Sequence, residues 1–222
     1  MKKLITSILM LGIFETTGLA NNSYEKTMEQ NITMIFNTAE ADQMNHVANK
    51  FVRIGEAEKS KWLPFYYSSM TYIFKSFQLQ DAAEKDDALE SAQRQLNRAL
   101  KLESENSEIS ALQGFLYMIS LSVDPASRGQ SISPKAFAQF EKALAIDPKN
   151  PRALLFKGQM LYGSAQFFGT GTETACQMIS RSIEIFEKSK NQKGIEPSWG
   201  LRSALSYNKN CNSFPKEQGD DK

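Results

Sequence analysis

Few residues of this chain could carry out catalysis or bind a metal, and histidine in particular is scarce. His46 is the single histidine, and no cysteine, aspartate or serine stands at a telling distance from it. Catalytic and metal sites need several such groups that converge on one point. We therefore interpret His46 as an ordinary helix residue, and we expect no metal, no cofactor and no enzymatic activity.

The two cysteines, Cys176 and Cys211, are better candidates for a structural bond than for catalysis. In an exported chain an even count favours a disulfide over two free thiols. A short connection, about residues 191–197, joins the two helices predicted beside them, so these helices should be antiparallel neighbours with both cysteines at the same end. We predict a Cys176–Cys211 disulfide, which argues against a Cys–His nucleophile.

A glycine-rich turn, Phe-Gly-Thr-Gly-Thr at residues 168–172, precedes a predicted helix. A helix N-terminus can bind an anion. The turn lacks the Gly-Lys-Ser/Thr ending and the preceding strand of a phosphate-binding loop. We interpret it as a flexible turn.

Aromatic residues crowd one short stretch, residues 62–77. Its members are Trp62, Phe65, Tyr66, Tyr67, Tyr72, Phe74 and Phe77. On a helix they would point almost all round, so one face cannot bury them all. Either this helix is buried in the middle of the fold, which we favour, or some of its aromatics line a groove.

The N-terminus has the features of a secretory signal peptide. Lys2 and Lys3 precede an apolar run over residues 4–14, and small residues precede a cleavage site after Ala20. Eleven residues span roughly 16 Å as a helix, about half of a bilayer core, so we expect no stable membrane span. Removal of residues 1–20 takes the formal charge from +1 to 0, which gives no bulk attraction for nucleic acid. We expect a periplasmic or secreted protein with a helical domain over residues 21–212 and a disordered tail over residues 213–222.

Apolar residues at helical spacing predict helices through nearly all of that domain, and no segment alternates long enough to demand a strand. The predicted helices form four pairs and a final cap. They cover residues 24–38 with 41–57, 63–78 with 84–102, 107–122 with 134–146, 151–163 with 173–189, and 198–208 alone.

A pattern of small and large residues recurs with a period of 44. Ala136, Phe140 and Ala143 repeat the positions of Ala92, Leu96 and Ala99. With Gly114 and Tyr117 in the preceding helix and Pro148 at the following turn, the pattern resembles a tetratricopeptide repeat. This resemblance implies an all-α, right-handed solenoid of about four helix pairs plus a C-terminal capping helix. The mature chain also resembles exported tetratricopeptide proteins of Gram-negative, Bacteroidetes-type bacteria, on features such as Pro-Ser-Trp-Gly at residues 197–200.

The period exceeds the 34 residues of the ordinary repeat. The extra residues fall between the paired helices, near residues 80–87, 123–133 and 165–171. Either they are inserted loops along one edge, which often mark a binding face, or the first helices of the pairs are a turn longer and the loops are slack.

The resemblance implies a binding protein. We expect a non-enzymatic adaptor or scaffold that holds an unidentified protein or peptide on the concave face. From repeat position we nominate Tyr66, Met70, Tyr117 and Arg152 as partner-binding residues. The alternative is a protein that binds a small molecule or substrate through the inserted loops; a pocket with convergent polar groups would favour it, and a long open groove would favour the adaptor.

Overall fold

The described part of the chain consists of α-helices and contains no strand. The structure is a computed structural model that describes residues 14–190 and 194–212. Its helices are α1 (Phe14–Asn37), α2 (Ala41–Glu58), α3 (Leu63–Ser76), α4 (Ala82–Leu102), α5 (Ser107–Val123), α6 (Pro125–Ile146), α7 (Pro151–Phe168), α8 (Glu173–Ser189) and α9 (Leu201–Asn212). The predicted all-α class is confirmed, and eight of these helices follow the four predicted pairs.

The 44-residue period is visible in the helix caps. Asn106 precedes α5, and its side chain accepts hydrogen bonds from the backbone N–H groups of Glu108 and Ile109. Asn150 precedes α7 and accepts one from the N–H of Ala153. An asparagine at this position satisfies donors that the helix cannot pair internally, so it fixes where each helix begins.

Small residues allow the paired helices to approach each other closely. Ala92, Ala99, Ala136 and Ala143 are fully buried, as their repeat positions predicted. At Gly114 in α5, an added Cβ would lie 2.5 Å from the ring of Phe140 in α6. The ring therefore occupies the space that the glycine leaves open, which is the ridge-and-groove packing expected of a tight helix pair.

Each pair stacks on the next, so a core runs along the array. The first helices of the pairs, α1, α3, α5 and α7, are called the A helices below. Among them α3 contacts α5, and α5 contacts α7, while α9 packs against α8 at the end. This sequential arrangement is that of a helical repeat.

The extra residues near 123–133 form helix, not an inserted loop. The predicted start of the sixth helix near residue 134 is wrong, because α6 begins at Pro125 and continues through Pro134. Asp124 caps the helix by accepting from the N–H of Ser127, and proline suits a first turn because it has no N–H to pair. Asp86 and Arg128, one from each of the first two extensions, form an ion pair at 2.6 Å. The extensions are therefore neighbouring helix turns.

Two predicted segments fall largely outside this description. Most of the predicted signal peptide, and the predicted tail over residues 213–222, lie outside the described residues. Cleavage near Ala20 stays a prediction. Within the described residues, no helix combines the length and hydropathy needed to cross a membrane.

Candidate ligand groove

An aromatic groove lies between the A helices and the final helix α9. Its volume is about 820 Å³, within the range of small-molecule sites. The lining residues are Ile35, Phe36, Thr38, Met44, Phe74, Phe77, Gln78, Phe115, Met118, Ile119, Phe156, Gln159, Trp199, Gly200, Arg202, Ser203, Ser206, Tyr207 and Asn210. We call this site the aromatic groove.

Aromatic side chains line the groove, although two of them, Phe115 and Phe156, are only 5% and 2% exposed and lie largely beneath its surface. The rings of Phe115 and Phe156 stack with centroids 4.2 Å apart, and Trp199 lies 5.8 Å from each of them. Phe77 extends this surface and is half exposed. Rings in such arrangements bury large apolar areas and prefer offset or edge contacts, so the surface suits a flat apolar ligand.

One side of the groove is built by the end of the chain. Residues 194–200, called the crossing segment below, are not helical and run across the A helices before α9 begins. The hydroxyl of Tyr67 in α3 donates to the carbonyl of Ile195 at 2.8 Å. The guanidinium of Arg152 in α7 donates to the carbonyl of Trp199 at 2.8 Å. The crossing segment is thus held by two A helices at once.

A buried ion pair supports this attachment. Arg152 Nη2 lies 2.6 Å from Glu108 Oε1, and Nε lies 2.5 Å from Oε2. The amide of Asn150 donates to the same carboxylate at 2.8 Å. Both members are shielded, with side chains only 6% and 18% exposed. A buried charge needs such partners because its hydration is lost.

The protonation states of this network follow from burial and charge. Burial alone would lower the pKa of Arg152, but the Glu108 charge and hydrogen bonds outweigh it, and the pKa is raised. Burial, reinforced by the Glu108 charge, raises the pKa of Tyr66 well above its ordinary value. Burial likewise raises the pKa of Tyr67. The arginine therefore stays charged and both phenols stay protonated, as their hydrogen bonds require.

The predicted disulfide is present and holds α9 to the array. Cys176 in α8 and Cys211 in α9 have Cα atoms 5.6 Å apart and close a span of 35 residues. The bond lies near the end of α9, and the crossing segment attaches its start. The helix that forms one side of the groove is thereby fastened at both ends.

The four residues nominated for partner binding lie mostly inside the fold. Tyr66 and Met70 are fully buried and Arg152 is 5% exposed, so these three present no surface to a partner in this conformation. Tyr66 packs and hydrogen-bonds within the network, and Arg152 holds the crossing segment. Tyr117 is half buried, and its partner-binding role stays a prediction.

Residues noted in the sequence for other reasons line the groove instead. Phe74 and Phe77 belong to the aromatic stretch that was expected either to be buried or to line a groove. Tyr66 and Tyr67 of this stretch are buried, whereas Phe74 and Phe77 line the groove. Trp199 belongs to the Pro-Ser-Trp-Gly feature. Phe115, Phe156 and Arg202 carried no signal, because nothing in their spacing marks them as neighbours. His46 is exposed and does not line the groove.

No metal-binding constellation accompanies the groove. Among the residues that the structure describes, no three His, Cys, Asp or Glu side chains are grouped so that they could hold an ion. The groove offers stacking surface, hydroxyls and amides instead.

These features define the class of the molecule: an all-α array of sequential helix pairs with an aromatic groove under its last helix. No protein-family model matches the chain, and no curated protein matches it. Among solved structures, it is similar to the HusA haemophore from Porphyromonas gingivalis. The TM-score is 0.74 and the sequence identity is 26%, over 86% of this chain and 95% of that chain. The similarity therefore covers nearly the whole of that protein.

Proposed function

We propose that this chain is a carrier that binds a flat, largely apolar small molecule of about the size of a porphyrin in the aromatic groove. The observation that carries the proposal is the groove itself: a volume of about 820 Å³ beside stacked aromatic rings. The similar solved structure is a haemophore, which favours a tetrapyrrole as the ligand. The disulfide fits an oxidising compartment, and so a site of action outside the cytoplasm.

The lining fits the ring system of a porphyrin better than it fits an iron ion. Haem proteins ligate iron through His, Cys, Met or Tyr. No His or Cys occurs among the residues that line the groove, whereas Met44, Met118 and Tyr207 do. Burial, with a smaller effect of Tyr162, raises the pKa of Tyr207, which disfavours the phenolate that iron would need. Stacking on the rings is therefore the main source of affinity, and iron is not required.

The helix pairs serve this proposal as a scaffold. We infer that they are tetratricopeptide-like, because Gly114 and Phe140 pack at the positions that the repeat resemblance implies. A solenoid of this kind usually leaves its inner face open for a peptide. Here the crossing segment and α9 cover the A helices, which favours a small molecule over a peptide in that position.

The adaptor role remains a second candidate because of one exposed feature. Phe167 and Phe168 adjoin each other at the end of α7 and are 82% and 73% exposed. Exposed aromatics are frequent at protein interfaces. A partner would then be bound at this end of α7, outside the groove.

Titration with a porphyrin tests the proposed function directly. The chain without residues 1–20 is titrated with mesoporphyrin IX, with and without iron, and followed by tryptophan fluorescence, since Trp199 lies in the groove. Saturable binding of both forms, with dissociation constants within about tenfold of each other, is expected if stacking dominates. If neither the iron-containing nor the iron-free porphyrin binds, the proposal is contradicted.

A matched pair of variants places the ligand. Phe77→Ala removes an exposed ring of the groove and should weaken binding of the porphyrin roughly threefold to tenfold. Phe167→Ala removes a still more exposed ring outside the groove and should leave binding unchanged. The reverse order would locate the ligand at the end of α7.

A further inference from the structure

The helix α9 carries one cation toward the aromatic groove. Arg202, Ser203, Ser206, Tyr207 and Asn210 all line the groove, and they recur at helical spacing, so they occupy one face of α9. Ala204 is buried on another side of the helix. The orientation of α9, fixed by the disulfide and the crossing segment, therefore puts the guanidinium of Arg202 at the edge of an apolar cavity.

Arg202 is the only charged side chain among the groove-lining residues that the structure describes. It makes no ion pair or hydrogen bond with any described residue. Four other arginines have acidic partners, among them Arg152 with Glu108 and Arg128 with Asp86, whereas Arg53 and Arg181, like Arg202, form no ion pair with a described residue. The groove thus has a positive charge that no carboxylate of the described chain neutralises.

An unpaired arginine at an apolar surface is suited to one chemical group in particular. The planar guanidinium presents parallel N–H donors that match the two oxygens of a carboxylate. Arg202 is exposed, so water screens this attraction and keeps its contribution modest. The hydroxyls of Ser203 and Ser206 lie on the same face of α9 and can donate further hydrogen bonds to an anion.

We infer that Arg202 binds a carboxylate of the ligand, so that the natural ligand is a flat apolar compound with at least one carboxylate at its edge. This inference rests on the proposed function and adds the ligand's charge and its orientation. The apolar body lies against Phe77, Phe115 and Trp199, and the carboxylate points toward α9. Burial keeps the pKa of Tyr207 raised, so its hydroxyl remains a donor toward that anion.

The test compares an acid with its ester. Mesoporphyrin IX carries two carboxylates, and its dimethyl ester has the same ring without the charges. Both are titrated into the wild type, Arg202→Gln and Lys209→Gln, again without residues 1–20. Lys209 is the matched control because it is an exposed cation on α9 that does not line the aromatic groove.

The inference expects a loss that depends on both the residue and the ligand charge. Arg202→Gln should weaken binding of the diacid by about fivefold or more. This is the lower part of the range for the loss of a hydrogen-bonded charge, because Arg202 is partly exposed to water. Its affinity for the ester should stay within about twofold of wild type, and Lys209→Gln should change neither.

The other outcomes contradict the inference about Arg202, or both this inference and the proposed function. If the wild type binds the porphyrins but Arg202→Gln binds the diacid as well as wild type does, the inference is wrong and the proposed function stands. An equal loss for acid and ester would show that Arg202 acts by packing and not by charge, which also contradicts the inference. If the wild type binds neither compound, the proposed function fails and the inference fails with it.

Discussion

The indole Nε1 of Trp199 donates a hydrogen bond to the phenolic oxygen of Tyr66 at 3.0 Å, although 133 residues separate them in the chain. Tyr66 is fully buried in α3, and Trp199 belongs to the crossing segment. The bond joins the interior of the second helix pair to the ring that forms one side of the aromatic groove. The groove and the core are therefore one structural unit.

Substitution of Trp199 separates the two roles of its ring. Trp199→Phe keeps an aromatic surface but loses the donor, so it should lower the free energy of unfolding by about 1 kcal/mol and leave porphyrin binding largely intact. Trp199→Ala removes the ring as well and should cost roughly 3 kcal/mol and at least tenfold in affinity. Urea unfolding and porphyrin absorbance measure both. Wild-type affinity in the alanine variant would contradict the assigned site.

The Glu108–Arg152 pair should be among the most sensitive sites for stability. Arg152→Met leaves the Glu108 carboxylate buried without its cation, which costs about 3–5 kcal/mol in such cases. The surface pair of Lys142 and Glu105, with side chains 41% and 75% exposed, provides the control, and Glu105→Gln should cost less than about 1 kcal/mol. Denaturant unfolding compares them. Similar losses in the two variants would show that burial does not govern the pair.

Two glycines in A helices should respond in opposite directions to the same substitution. Gly114→Ala drives a Cβ into the ring of Phe140, which is itself fully buried, and should cost roughly 1–3 kcal/mol. Gly163 lies in α7 with nothing within 4 Å of an added Cβ. Gly163→Ala should therefore stabilise the helix by up to about 1 kcal/mol. Thermal unfolding gives the signs, and a stable Gly114→Ala variant would argue against the tight α5–α6 packing.

The Cys176–Cys211 bond should control both stability and binding. The unreduced, denatured protein should show no titratable thiol. The double variant Cys176→Ser, Cys211→Ser should lose roughly 2–4 kcal/mol, as expected for a closed span of this length. Because α9 then loses one of its two attachments, porphyrin affinity should fall as well. Added reductant should affect the wild type and not the double variant; an equal response in both would contradict a role for the bond.

Lowering the pH should remove the contribution of the Asp86–Arg128 ion pair to the stability of the fold. Hydrogen bonds from Arg128 hold the pKa of Asp86 below its ordinary value of 3.8. A carboxylate with a lowered pKa in the folded state contributes stability above its unfolded pKa, and this is lost as the pH falls through the folded pKa. The difference in Tm between wild type and Asp86→Asn should therefore be present at about pH 7 and shrink progressively as the pH falls below about 4. The exposed neighbour Asp87, which forms no ion pair with a described residue, provides the control, since Asp87→Asn should lower the Tm less than Asp86→Asn at about pH 7.

The sequence predicted the parts of the fold that local rules determine. The predicted helix starts at residues 107 and 151 are correct, and in the structure a capping asparagine, which acts within three residues of itself, fixes each of them. Ala92 and Ala136 mark buried contacts because small residues at a fixed period imply close helices. The start of α6 was missed because Pro134 resembles a first-turn proline, whereas Asp124 and Pro125 already begin the helix nine residues earlier.

The groove could not be predicted in the same way. Its rings come from all four A helices, the crossing segment and α9, and only the three-dimensional stacking of those elements brings Phe77, Phe115 and Trp199 together. Arg152 illustrates the limit. Its repeat position predicted an accessible face, but in the structure the crossing segment covers that face. Arg152 donates a hydrogen bond to the backbone carbonyl of Trp199 in this segment.

The contacts of the crossing segment join residues that are far apart in sequence, which affects when these contacts can form during folding. The helix pairs depend on contacts between neighbours in sequence, so they can pack early in folding. The bonds of Tyr67 to Ile195 and of Trp199 to Tyr66 close spans of 128 and 133 residues, and such distant pairings are slow and entropically costly. A chain cut before residue 194 would retain the array but lack one side of the groove. Under the proposed function, a chain that lacks the crossing segment and α9 should therefore not bind the ligand.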